Sequence, residues 1–165
     1  MRGRATTAVA ASAAEEAYRL SDGLPDWRNA VSDEWREHLA HVWDFLAGDS
    51  AQHYALSGAI ASFLTSPLNH NEGQDGPDDF DRPQTIASFS AVASAVMWGV
   101  DFAVSAVGQI FECLDLKHGD DFTAERAEDV AFEIRRARAV VERVVAAAAP
   151  GSAWLTADLL DAIRH

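Results

Sequence analysis

The feature that most limits what this chain can fold into is the stretch from Asp78 to Leu116. A short charged prefix, Asp78-Asp79-Phe80-Asp81-Arg82-Pro83, leads into an almost uncharged apolar run that lasts until Asp115. Ile86, Phe89, Ala93, Val96, Met97, Val100, Val104, Val107 and Phe111 recur at three- and four-residue steps, the period of a helix that buries one face. Ala87, Ala91, Ala95, Ala103 and Ala106 fill much of the remainder, so neighbours can approach on several sides. The spacing predicts a long central helix, with Asp101 beside Gly99 as its odd residue. A carboxylate there must point outward, pair with an arginine, or line a polar pocket, because burying it alone costs several kcal/mol.

The flanking segments read as helices too. Ala5 to Leu20 is rich in the strongest helix former, with residues 1–5 expected as a disordered arm. Ser21-Asp22-Gly23-Leu24-Pro25 is a stop and restart. From Asp33 to Ala47 the pattern is clearly amphipathic: Trp35, Leu39, Val42, Trp43 and Leu46 share a face, and Gly48 ends it. Asp49 or Ser50 caps the next helix, whose expected buried stripe is Tyr54, Leu56, Ile60, Phe63 and Leu64, and Ser66-Pro67 stops it. After the central run, Asp121 or Thr123 caps a helix through about Ala149, with Phe122, Ala127, Val130, Ala131, Ile134, Ala137, Val141 and Val144 as its expected buried face. Arg135, Arg136, Arg138 and Arg143 fall toward its C-terminal half, where they suit the helix dipole. Ser152 or Thr156 caps a last short helix carrying Trp154, Leu155, Leu159, Leu160 and Ile163. No period-2 alternation and no internal repeat is visible. The expected fold is all-α: one domain over 1–165, a bundle of about six helices around a long central apolar helix.

Residues 67–82 break this regularity. Asn69-His70-Asn71-Glu72-Gly73-Gln74-Asp75-Gly76-Pro77-Asp78-Asp79 holds almost no apolar residue and three breakers, so it reads as a long acidic loop. Loops of this length in compact domains tend to be functional or mobile. Its acids belong to a wider imbalance of 26 acidic against 13 basic side chains, a formal charge of −13. Such a field repels nucleic acid and anionic membrane, and it speeds encounter with a basic protein. It also keeps an alanine-rich domain soluble.

Catalytic and cofactor signatures are missing. There is no Gly-x-Ser-x-Gly elbow, no phosphate-binding glycine loop, and the acidic loop lacks the ligand spacing of a calcium-binding EF-hand. The single cysteine, Cys113, excludes an internal disulfide and reads as an inert core thiol. His38 and His41, with Glu37 or another nearby carboxylate, could share a metal on one helix face, but the Glu-x-x-His pair of di-iron bundles occurs nowhere. The expectation is no enzyme and no cofactor. Arg2 and Arg4 before an alanine run imitate a signal peptide only faintly, and the expected compartment is the cytoplasm. Trp35, Trp43 and Trp98 are expected in the core, whereas Trp27 and Trp154 lie near helix starts, where exposure would suit a binding hot spot.

Two blocks carry a resemblance. Val42-Trp43-Asp44-Phe45-Leu46 and Asp78-Asp79-Phe80-Asp81 are similar to a hydrophobic helix and an acidic lead-in found in the YjaG-like family of small helical bacterial proteins of undetermined function. That resemblance implies an all-helical fold and assigns no catalytic residue. In composition the chain also resembles bacterial immunity proteins, acidic inhibitors of basic toxin domains. The expected activity is therefore binding and neutralising a basic partner through Glu72, Asp75, Asp78, Asp79, Asp81, Asp120 and Asp121. The alternatives are a helical-bundle metal protein or enzyme using His38 and His41, and a structural homodimer.

Overall fold

The computed structural model describes residues 2–21, 30–65, 81–119, 121–148 and 155–165. Among them are seven helices and no strand: α1 (Arg2–Ser21), α2 (Ala30–Ala47), α3 (Gln52–Thr65), α4 (Asp81–Met97), α5 (Val100–His118), α6 (Ala124–Ala147) and α7 (Ala157–Arg164). The all-α bundle is as the periodicity predicts. The long central helix is not found: it is divided into α4 and α5 at Trp98-Gly99, which accounts for seven helices in place of six. Trp98 takes φ +57, a left-handed conformation rare for a bulky side chain, and Gly99 is extended. Asp101 falls in the first turn of α5 and is exposed, where its charge meets the positive end of the helix dipole.

The centre of the bundle is shared by α1, α4 and α5, which make the most extensive contacts. Helix α1 is alanine-rich and buried nearly all round, with Ala8, Ala10, Ala11, Ala14 and Ala17 inaccessible to solvent. Side chains this small let α4 and α5 pack close to its backbone. Met1 lies outside the described residues, and α1 begins at Arg2, within the segment expected as an arm. Gly3 is the reason: a Cβ built there would lie 2.4 Å from Trp98 Cγ, so the bare backbone is the seat for the indole. Trp98 itself remains half-exposed rather than in the core as expected, because the break turns it out of the bundle onto α1.

Helices α2 and α3 cover the other side of α4. The expected α2 face is buried in full, and Phe45 joins it. On α3, Leu56, Ile60 and Phe63 are buried while Tyr54 and Leu64 are exposed, so its stripe is narrower than expected. Phe63 stacks on Phe89 of α4 with ring centroids 4.2 Å apart. Helix α4 also buries Gln84, Thr85, Ser88, Ser90 and Ser94. Ser88 Oγ donates to Tyr18 Oη on α1 at 2.8 Å, one way such a polar helix is tolerated inside.

Local signals end the elements as expected. Gly48 at φ +119 follows α2, and Gly119 at φ +62 follows α5 and donates its N–H to Asp115 O at 2.8 Å. Asp49 Oδ1 accepts from Ala51 N before α3. Thr123 caps α6 and Thr156 caps α7, each hydroxyl accepting a backbone N–H three residues on. One continuous hydrophobic cluster draws residues from all seven helices. None of the described helices is long and apolar enough to cross a membrane.

Candidate functional site

The buried face of α6 is rotated from the expected one. Val144 is buried as expected, but Glu133 and Val140 are buried with it, whereas Phe122 is 93% exposed, Ile134 52% and Val141 41%. A carboxylate has taken a core position one turn before Arg136, which pairs with Glu16 of α1. Glu16 and Glu133 are 3% and 2% exposed. Arg136 lies with them, Nε 2.9 Å from Glu16 Oε2 and Nη1 3.9 Å from Glu133 Oε2. Arg19 completes the group with an ion pair to the same Glu16 oxygen. Burial first, and then the neighbouring Glu16 charge, push Glu133 up to about 7 from its ordinary 4.5. Burial also lowers the guanidinium of Arg136 from its usual range.

These groups tie three helices together. Arg136 Nη2 donates to Ser12 O at 3.2 Å, and Ser12 Oγ donates to Ile163 O on α7 at 2.6 Å. Glu15, the adjacent carboxylate on α1, accepts from Trp43 Nε1 at 2.9 Å and lies 3.3 Å from Arg164 Nε. Glu16, Glu133 and Ser12 are buried while Arg19 and Arg164 reach solvent, and the network fastens α6 and α7 to α1. The sequence suggests only a helix-dipole role for Arg136 and does not single out Glu16 or Glu133. The available signal was a glutamate on an alanine-rich helix and a Glu-x-x-Arg step on another.

The exposed chemistry gathers at the corner between α5 and α6. Gly119 ends one helix and Thr123 starts the next, so the last turn of α5 faces the first turns of α6 across a short connection. Lys117 Nζ and His118 Nε2 both reach Asp129 Oδ2, at 2.7 and 2.9 Å. Those two hydrogen bonds hold the Asp129 carboxyl below its usual range. Arg126 pairs with Asp115 and lays its guanidinium over the Phe122 ring, 4.7 Å from the centroid. Asp121 and Glu125 are exposed on either side of Phe122 in the chain. The result is an aromatic side chain held out in solvent under a guanidinium, with exposed carboxylates nearby in the chain.

Of the expected partner-binding residues, Asp121 alone has a described side chain, and it is exposed. Asp81 opens α4, and its side chain is not among those described. Glu72, Asp75, Asp78, Asp79 and Asp120 lie outside the described residues, as do Trp27 and Trp154. His38 and His41 remain three apart on α2, His38 edge-on to Trp35 at 5.3 Å. Among the described residues, the group of three potential metal ligands within mutual reach does not include them; it is His118, Glu125 and Asp129.

An apolar groove of about 360 Å³ runs between α1, α5 and α6, walled by Val100, Val104, Val107, Val141 and Val145. Val100, Val104 and Val145 are each about two-thirds exposed. Cys113 is buried on α5, near Ser21 Oγ, and burial pushes its thiol up to about 11. No known protein family, no curated protein and no solved structure matches this chain.

Proposed function

We propose that this chain is an acidic interaction protein that binds a basic protein partner, with an immunity protein against a bacterial toxin domain as the specific form. The observation that carries the reading is Phe122, 93% exposed at the α5–α6 corner with Asp121 and Glu125 beside it. An aromatic side chain so placed gains far more from a partner than from its own fold, and exposed acids close to it in the chain favour basic surface. The net charge of −13 favours the same class of partner. Co-expression with the product of the adjacent gene tests it. A complex is expected, with affinity reduced at least tenfold by Phe122→Ser and again by the triple change of Asp75, Asp78 and Asp79 to Asn. Absence of a complex, or a complex indifferent to both changes, counts against the reading.

A second reading is association of two copies through the α1–α5–α6 groove, supported by the exposure of Val100, Val104 and Val145 around it. Light scattering would give a dimer mass that falls to the monomer value in Val104→Glu. A monomer at all concentrations removes it.

A further inference from the structure

We propose that the corner between α5 and α6 is a binding site for a divalent transition-metal cation, with His118 Nε2 and the carboxylates of Glu125 and Asp129 as its protein ligands. One donor atom from each of the three lies within 4.8 Å of the others. The donors come from two helices whose ends are fixed by Gly119 and by the Thr123 cap, so their approach is built into the fold. Glu125 and Asp129 are four apart on α6 and therefore share a face, one turn above the other. The His118 imidazole is 8% exposed and already directs Nε2 at Asp129, 2.9 Å away. Glu125 forms no hydrogen bond or ion pair among the described residues, so its carboxylate is available.

The spacing suits a small cation. A tetrahedral site with bonds of about 2.1 Å holds its donors about 3.4 Å apart. The 2.9 Å pair would open by a few tenths of an ångström, and Glu125, exposed and flexible, would close the remainder. One imidazole nitrogen with two carboxylate oxygens is the donor set of zinc, manganese or iron(II); calcium prefers oxygen throughout, and copper(I) prefers sulfur. Glu125 is exposed, which leaves the remaining coordination positions to water.

Lys117 supplies an internal competitor. Its Nζ sits 2.7 Å from the same Asp129 oxygen, and its side chain is 38% exposed, free to withdraw into solvent. A cation entering the site must displace that ammonium, so removing the lysine charge should tighten binding. An ordinary ion-pair cluster makes no such prediction.

Calorimetric titration of zinc into the untagged full chain, stripped beforehand with chelator, tests the proposal. One equivalent is expected to bind with micromolar or tighter affinity. Glu125→Gln, at an exposed position, should weaken it at least tenfold, His118→Ala should abolish it, and Lys117→Met should strengthen it several-fold. Cobalt(II) in place of zinc should give the intense visible absorption of a four-coordinate site. No binding to the unaltered chain, or binding that Glu125→Gln and His118→Ala both leave unchanged, overturns the proposal.

Discussion

Arg136 Nε on α6 stands 2.9 Å from Glu16 Oε2 on α1, and this pair sets which face of α6 is buried. A guanidinium and a carboxylate out of water require each other: the Coulomb attraction and hydrogen bonds offset a desolvation penalty that neither could meet alone. With that pair in place, Glu133 one turn earlier is carried inside as well. Val140 and Val144 follow it at helical spacing, so the expected face at Ile134 and Val141 turns outward.

Glu133 makes stability depend on pH. Its folded-state value is about 7 against an ordinary 4.5, so its contribution is complete below pH 4.5 and is lost as pH rises through 7. The difference of about 2.5 units sets an upper bound of roughly 3 kcal/mol. Glu133→Gln, which cannot ionise, should be the more stable protein at pH 8 by on the order of 2 kcal/mol. At pH 5 the gap should shrink to within about 1 kcal/mol. Urea denaturation at the two pH values measures both figures, and equal differences at pH 5 and pH 8 would contradict the assignment.

Removing Arg136 should do the reverse. Arg136→Ala leaves two buried carboxylates with only the half-exposed Arg19 nearby, and breaking a buried pair from one side costs about 3–5 kcal/mol. The loss should be larger at pH 8 than at pH 5, since Glu133 is protonated at the lower value. Denaturation midpoints of the variant at both pH values would show it.

Gly3 and Trp98 should be coupled. Gly3→Ala puts a methyl group 2.4 Å from Trp98 Cγ, an overlap that a side-chain tip cannot relieve because Trp98 Cβ is also within 2.8 Å. We expect a destabilisation of about 1–3 kcal/mol. In a Trp98→Ala background the same change should cost about 0.5 kcal/mol or less, so a double-mutant cycle reads the contact directly. Additive effects would mean that the indole does not rest on Gly3.

Cys113 should be silent to thiol reagents while the chain is folded. It is 1% exposed, and its thiol is pushed up to about 11 by burial, so almost no thiolate is present at pH 8. Labelling should proceed only in denaturant, at one equivalent per chain. Rapid labelling of the native protein would show that α1 and α5 separate readily.

How much was legible beforehand varies along the chain. The α2 face from Trp35 to Leu46, the stops at Gly48 and Gly119, and the caps at Thr123 and Thr156 were all readable, because each depends on residues within a turn or two. The candidate site was readable only in part. Charge points to Asp121 as surface, and it is exposed, whereas the period places Phe122 in the core, as aromatic residues at helical spacing generally are. His118, Glu125 and Asp129 were not grouped, since a helix end and a helix start meet only once the connection between them folds.

The stretch from Asp78 to Leu116 shows the division most clearly. By itself the sequence determined that its residues 81–116 are helical over most of their length and apolar, because period and propensity are local properties of the chain. Its interruption at Trp98, the burial of an alanine helix as an equal partner at the centre, and the turn of α6 that brings Glu133 inside were decided by tertiary packing. Each of these depends on a contact between residues far apart in the chain: Gly3 with Trp98, and Glu16 with Arg136. Periodicity measures how amphipathic a segment is, but the choice between two adjacent faces of α6 was made by the charge that α1 placed opposite one of them.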